Sequence, residues 1–400
     1  MTVLVLGAGA SKSYTSSPSG LQMPLARDFF RTYMHSRLKD QTWVLIHHII
    51  GYLQLFRHSS IEEFVLRNED IEAFHSEIEE RLSASAESDR MTQVALSSAS
   101  TQLVFLFAAL INEIQNGPPS RPHCKLARRL RQDDCVITFN WDTLMDRALA
   151  EVTSWRCDSG YRAIPAAVYR DSWVAPQEPA APTAPTLLKL HGSTNWITSY
   201  IMHEQGRPRL MHAASPDTLC IFEHCTKPYH TWRGRFMPGF EPYSYGYYPP
   251  NIPVPGMSAD PGHVFVQFNL KFPGIPDGDA GEEGLTSMPL IIPPVREKKY
   301  DLFGELFRRI WQGAEDALAT ADRIVLIGYS FPITDVQSDH LFCSAFLRRE
   351  TMPEVFIVDP APERAAEKFQ MAYGIASDHL TVYKAYFTEE FELDAILPKA

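Results

Sequence analysis

With 400 residues, 45% of them hydrophobic and 21% charged, the chain has the composition of an ordinary folded protein and is too long for a single small core. Its net charge of -11 argues against a nucleic-acid surface spread over the whole molecule, and its longest apolar run, Leu103 to Ile111, is shorter than a membrane span needs. Six scattered cysteines (Cys124, Cys135, Cys157, Cys220, Cys225 and Cys343) form no CxxC pair, so neither a disulfide framework nor a four-cysteine zinc site is expected.

The first predicted element is a strand, Thr2 to Leu6, directly after Met1. No basic leader or cleavage site is read there, and the expected location is the cytoplasm. The strand ends in "GAGAS". Gly7 and Gly9 permit a tight turn and a close approach to a diphosphate, and a helix starting near Ala10 would aim N–H groups at the anion. The other reading is a plain strand-to-helix turn, and Lys12 stands where a dehydrogenase pattern has its third glycine. From Pro24 to about Gln132 helical spacing dominates, as in Ile61, Phe64, Val65, Ile71, Phe74 and Ile78, and residues 24–132 are read as a helical lobe. The acidic run Glu62, Glu63, Glu69 and Asp70 and the basic stripe Lys125 to Gln132 both read as solvated helix faces.

Short strands follow at Cys135–Asp142, Leu187–Gly192, Arg323–Ser330, Glu354–Asp359 and Leu380–Tyr386, most of them joined by helices such as Asp301–Ala319 and Asp335–Arg349. Strands that are apolar on both faces and alternate with helices predict an α/β fold, a Rossmann-like open parallel sheet with helices on both faces. The core is assigned to 1–23, 133–160, 186–196 and 296–400. Between 161 and 295 the texture changes, because 20 of the 30 prolines fall there, and 197–295 is read as a loop-rich proline and aromatic insertion with a short strand in His263–Leu270. Its aromatics, among them Trp232, Phe236, Phe240, Tyr243, Tyr245, Tyr247 and Tyr248, are expected to fill a small core, with a subunit contact as the alternative.

In open α/β sheets ligands bind outside the carboxyl ends of the strands, so the strand exits are the candidate site. If Thr138 to Asp142 is extended, Thr138, Asn140 and Asp142 share a face, yet Asp142 would serve equally as the N-cap of a helix over 143–150. His191 ends the next strand. It is either a structural histidine or a base, and Gly192 beside it would admit a ligand backbone while Ser193, Thr194 and Asn195 replace the expected apolar residues. Gly328 and Ser330 offer a small hydrogen-bonding exit, or a turn helped by Pro332. Asp359 either accepts ribose hydroxyls or caps the helix that follows.

These four stretches, "GAGAS", "FNWD", "LHGS" and "GYSF", resemble in order the motifs of the sirtuin-like family of NAD-consuming proteins. The zinc-binding CxxC pairs of deacetylase sirtuins are missing, and "GLQMPLARDFF" matches their next element only through Pro24. Both departures, with the helical lobe, resemble the bacterial sirtuin-like effectors that hydrolyse NAD in antiphage defence. The resemblance implies an NAD+ glycohydrolase that uses NAD as substrate without zinc. Asn140 would hold the nicotinamide ribose and a water, and His191 would accept a proton from either. Asp142 would orient groups near the nicotinamide or cap the helix. Gly7, Ala8, Gly9, Ser11 and Pro24 would line the nucleotide, and Gly328, Ser330 and Asp359 the adenosine side. A homo-oligomer and a HerA-type ATPase partner are implied, with no membrane or direct nucleic-acid contact expected. The rival functions are an NAD or ADP-ribose sensor without catalysis, and an NAD-dependent deacylase or ADP-ribosyltransferase; a dehydrogenase lacks the third glycine and the acid after a second strand.

Overall fold

A computed structural model describes residues 1–36, 42–85, 89–115, 117–170, 173–177, 184–199, 201–204, 207–210, 219–223, 246–247, 266–267, 287–292, 300–332 and 335–398. Of the insertion aromatics singled out above, only Tyr247 is among them, in a two-residue strand pairing with Val266–Gln267. The others lie outside the described residues, as does most of His263–Leu270.

Six parallel strands form the main sheet: Thr2–Leu6, Cys135–Thr138, Thr186–Lys189, Arg323–Ile327, Glu354–Val358 and Leu380–Tyr383. Numbered along the chain, their spatial order is 6-5-4-1-2-3, the doubly wound Rossmann order, with the direction of winding reversing between the first and fourth strands. Val, Ile and Leu on both faces of the inner strands are buried, as a sheet covered by helices on each side requires, while the last strand is a half-exposed edge. The amphipathic helix Glu305–Thr320 turns Leu306, Phe307, Ile310, Ala314 and Leu318 into this core.

A second cluster of buried side chains, drawn mostly from Tyr14 to Ile114, includes Phe29, Phe30, Phe64, Phe74 and Phe107; Phe29 meets Phe107 edge to face, and Phe30 meets Phe64 and Phe74 in the same way. At its centre is the 26-residue helix Arg90–Gln115. By length and composition this helix could cross a membrane, in contrast to the short apolar run read from sequence, but 83% of its most apolar window is buried inside the protein. It is the axis of the lobe.

Of the acidic run, Glu62 and Glu63 are exposed, as a solvated face requires, and three of the four residues also bond locally: Glu63 closes a capping box with Ser60, Asp70 caps Ile71–Ala84, and Glu69 pairs with Arg57. The basic stripe clamps the C-terminal segment, with Lys125 donating to the carbonyls of Glu389 and Phe391 and Arg129 paired with Asp394. The stretch after His191 is a strand, Gly192–Ser199, in a five-stranded sheet with Ala167–Tyr169, Trp173–Val174, Cys220–Phe222 and Ser287–Ile291.

Candidate functional site at the carboxyl edge of the sheet

Parallel register sets the strand ends level. Leu6 pairs with both Ile327 and Thr138, Thr138 pairs with Lys189, and Ile327 pairs with Val358. The residues that follow, Asp359, Gly328, Gly7, Phe139 and Leu190, therefore leave the sheet side by side, on strands about 5 Å apart, with Asn140 and His191 one residue further on.

The glycines at the reversal of winding are there for backbone contact. Gly7 N–H donates to Ile327 and Gly9 N–H to Gly328, both at 3.0 Å. A Cβ on Gly7 would come 2.4 Å from the Gly328 carbonyl, one on Gly9 2.7 Å from Gly328 Cα, and one on Gly328 2.3 Å from Ala10 N. Only glycine permits this apposition, and Gly328 also has φ +62. The helix expected from Ala10 is a single turn, Ala8–Ser11, and the N–H groups of Gly7 and Gly9 are engaged within the fold. The exposed Ala8 forms the outer rim of the turn. Lys12, which replaces the third glycine, pairs with Asp28 at 2.7 Å and ties the Pro24 segment to this turn.

Asn140 and Asp142 do not continue the strand, which ends at Thr138. They leave it in an irregular turn and converge on Ser11. Asn140 Nδ2 donates to the Gly7 carbonyl at 2.8 Å and to Ser11 Oγ at 2.9 Å, and Ser11 Oγ donates to Asp142 Oδ2 at 2.5 Å. A carbonyl can only accept, so the amide orientation of Asn140 is fixed and its Oδ1 is turned away from Gly7 and Ser11. The helix Leu144–Val152 begins one residue later than expected, with Thr143 as its N-cap, so Asp142 stands one residue before the cap; its second oxygen accepts from Leu144 N at 3.0 Å while the first holds Ser11. Buried Lys189 donates to the Asp142 carbonyl at 2.5 Å and to Asp146 Oδ2 at 3.1 Å, while Tyr161 donates to the other Asp146 oxygen. This buried cation is hydrogen-bonded and paired, as its burial demands.

The lobe buttresses the same turn. Trp141 stacks on Phe107 at 5.0 Å, and Gln115, the last residue of the long helix, accepts from Thr143 N at 2.8 Å and donates to Thr194 Oγ1 at 3.1 Å. Ser193, Thr194 and Asn195 are buried and stitch the new strand to Trp141 O, Gln115 and Phe222 O. Gly192, expected to admit a ligand, has φ +76 and is pressed against the Leu290 carbonyl, which an added Cβ would meet at 2.0 Å. Its constraint is internal.

His191 sits in the turn after Lys189, 8% exposed, with its carbonyl accepting from Ile292 N at 2.9 Å. Phe139 lies edge-on to the imidazole at 5.3 Å, and Trp311 lies at 6.3 Å on another side. Phe139 in turn stacks on Tyr329 at 4.2 Å, so the exits of the second, third and fourth strands share one aromatic wall. His191 Nε2 lies 3.5 Å from Asp335 Oδ2.

The residues brought together are thus Gly7, Gly9, Ser11, Asn140, Asp142, His191 and Gly328. Ser330 is exposed beyond the aromatic wall, and Asp359 accepts from Ala361 N at 2.8 Å, an Asx turn ahead of a helix whose N-cap is Pro362. Half-buried Pro24 adjoins Met23 of the lobe core, and no interaction places it on Asn140 or His191 among the described residues. Sequence reasoning missed Phe139, Tyr329, Trp311 and Asp335; the aromatic before Asn140 and the one after Gly328 were the available signals.

Cys157, Asp158 and Glu223 bring ligand-type atoms within 4.8 Å of one another. They do not suit a metal ion. Arg170 bridges both carboxylates, and burial, then Glu223 and Asp158, push the thiol of Cys157 well above its usual range, so it stays neutral.

No established sequence family matches the chain. No curated protein matches it either. The solved structures that the chain matches include sirtuins. One, from work on sirtuin substrate affinity, has a TM-score of 0.32 at 12% identity over 96% of this chain and 89% of that one. A Sir2 with a deacetylated p53 peptide and 3′-O-acetyl ADP-ribose gives 0.32 at 12%, over 97% and 89%. A Sir2 with a p53 peptide and NAD+ gives 0.27 at 12%, over 97% and 88%.

Proposed function

We propose that the chain is an NAD+ glycohydrolase, cleaving the bond between nicotinamide and ribose. The observation that carries the reading is the wiring of Asn140 to Gly7 O and Ser11 Oγ one strand from His191, at the reversal of a doubly wound sheet. Such a crevice is where this architecture takes nucleotides, and the four sirtuin-like motifs supply the chemistry.

The ring nitrogen of nicotinamide is cationic in NAD+ and takes the bonding pair as the bond to ribose breaks, so nicotinamide leaves neutral and needs no general acid. What the site must do is steady an oxocarbenium-like ribose and deliver water. Asn140 Oδ1, held outward by the two bonds to its Nδ2, accepts from a ribose hydroxyl or from the attacking water. Water adds to the anomeric carbon as the bond to nicotinamide breaks, and His191 takes the proton that the water sheds. An imidazole has the right intrinsic basicity for that task. The rim from Gly7 to Ala8 faces the diphosphate, and Gly328 and Ser330 face the adenosine side.

The biological reading that follows is NAD depletion in antiphage defence, with a homo-oligomer and an ATPase partner of the HerA type as candidate regulators. Purified His191→Ala and Asn140→Ala variants are expected to lose nicotinamide release from NAD+ at least ~100-fold while remaining folded at the assay temperature, Asn140→Ala with a stability lowered by about 1–3 kcal/mol for its two lost hydrogen bonds. Chromatography of nicotinamide checks this, and full release by either folded variant would overturn the assignment. Acyl-peptide-dependent release would point instead to a deacylase.

A further inference from the structure

We propose that Gln115 is a positioning residue for Asn140 and His191, its amide fixing the turn that carries the first against the strand that follows the second. The inference rests on the reading of these two residues as the catalytic pair and adds the group through which the helical lobe sets their spacing.

Gln115 is the last residue of the long lobe helix Arg90–Gln115 and is 1% exposed. A primary amide has two accepting sites on its oxygen and two N–H donors, and burial makes each one costly to leave empty. Here all four are filled. Oε1 accepts from Thr143 N at 2.8 Å and from Thr143 Oγ1 at 3.1 Å. Nε2 donates to Thr194 Oγ1 at 3.1 Å and, within the lobe helix, to Asn112 Oδ1 at 2.5 Å. A backbone N–H can only donate, so Thr143 decides which end of the amide is oxygen, and the other contacts follow in one orientation. A buried polar network satisfied in this way specifies a single geometry.

Thr143 is the N-cap of the helix Leu144–Val152, yet its hydroxyl makes no capping bond there and goes to Gln115 instead. It adjoins Asp142, whose carboxylate holds Ser11, which in turn holds Asn140. The two residues between Asn140 and Thr143 are held at their carbonyls: Trp141 O accepts from Thr194 N at 2.9 Å and Asp142 O from Lys189 Nζ at 2.5 Å. Thr194 belongs to the strand Gly192–Ser199 that leaves His191. The amide of Gln115 thus spans from Thr143 to Thr194, whose own N–H returns to Trp141, and joins the two elements that carry the catalytic pair. Its backbone is tied to the same place, because Arg147 Nη1, one turn into the helix that Thr143 caps, donates to the Gln115 carbonyl at 2.5 Å. A shift of the lobe helix therefore pulls on the turn, and a misplacement of about 1 Å can cost on the order of 10²-fold in rate.

Gln115→Met tests this, since it keeps the length of the side chain and removes all four bonds. The expected result is a kcat for nicotinamide release lowered at least ~10-fold with KM within about 3-fold, because the turn meets the reacting ribose rather than the rest of the nucleotide. Hydrogen exchange of the Thr143 amide, read by mass spectrometry of the segment around it, should quicken at least ~10-fold. Thr143→Val is the milder variant: it takes one of the four bonds, leaves the backbone N–H on Gln115, and should lower kcat about 3-fold with KM unchanged. Ile78→Ala empties a fully buried place in the lobe core and leaves the amide intact, so it should lower the urea midpoint while keeping the wild-type kcat. Wild-type Thr143 exchange in Gln115→Met, wild-type kcat in Thr143→Val, or an equal loss of kcat in Ile78→Ala each overturns the inference. A wild-type protein that releases no nicotinamide would instead sink the chemistry on which it rests, and Thr143 exchange tells the two failures apart.

Discussion

Ser11→Ala is the perturbation that most directly probes the wiring of the site. Ser11 is 3% exposed and its hydroxyl serves two partners, donating to Asp142 at 2.5 Å and accepting from Asn140 at 2.9 Å. The bond to the carboxylate is charge-assisted, worth about 1.5–3 kcal/mol, and the bond from the amide about 0.5–1.5 kcal/mol. Each partner retains one other bond, Asp142 to Leu144 N and Asn140 to Gly7 O, so neither is left bare. The net loss is expected at about 2–4 kcal/mol. Ser13→Ala is the internal control, since Ser13 is also buried but makes one neutral bond, to Ala10 O at 2.6 Å, and should cost about 1 kcal/mol. Urea unfolding followed by tryptophan fluorescence compares the two. Folded Ser11→Ala should also release nicotinamide at least ~10-fold more slowly, because Asn140 keeps only one of its two anchors. A stability loss indistinguishable from that of Ser13→Ala, together with wild-type turnover, would refute the idea that Ser11 joins Asn140 and Asp142 into one unit.

Two more outcomes follow from the frame around the site. His123 is fully buried beside Phe387, and burial, opposed by the charge of Asp146, lowers its pKa to about 4. The unfolded chain binds that proton more readily, so the stabilising term is whole above about pH 6.5 and is lost as pH falls toward 4; it amounts to about 3 kcal/mol, and urea titrations from pH 7 to 4 should show a shallower decline in His123→Gln. Gly192→Ala should destabilise by several kcal/mol and Gly20→Ala by only about 1, because both lie at positive φ but only the first Cβ meets a backbone atom, at 2.0 Å, whereas the second meets nothing within 4 Å. Equal thermal shifts for the two variants would contradict this.

The elements legible in the sequence were those whose signal is local. The inner strands of the main sheet are short, apolar on both faces and flanked by helical spacing, so burial from two sides is written into consecutive residues such as Val3, Leu4 and Val5. The glycines at the exits were legible too, but their reason was not. A Gly7 that turns toward a ligand and a Gly7 pressed on Gly328 give the same letter, and only the parallel pairing of Leu6 with Ile327 decides between them. The extended reading of Thr138 to Asp142 failed for a similar reason. Alternation put Asn140 and Asp142 on one face of a strand, whereas what draws them together is Ser11, a hydroxyl 129 residues from Asn140.

The strand after His191 was hidden because its polar residues contradict the usual mark of a buried strand. Ser193, Thr194 and Asn195 are buried at no penalty only because Trp141 O, Gln115 and Phe222 O receive or supply their hydrogen bonds, and those partners are scattered over three other elements. Asp335 is the limiting case. Locally it is an acid before a helix, and nothing in its neighbours marks it apart from Asp28 or Asp70, which stand in the same position before their helices. What separates them is the partner: Asp70 turns its carboxylate to the first N–H groups of its own helix, while Asp335 turns its carboxylate to Tyr329 and His191. A cap satisfies a requirement of its own helix, so an acid in a capping position that spends its side chain elsewhere answers to another element, and here that element is the imidazole at the carboxyl edge of the sheet.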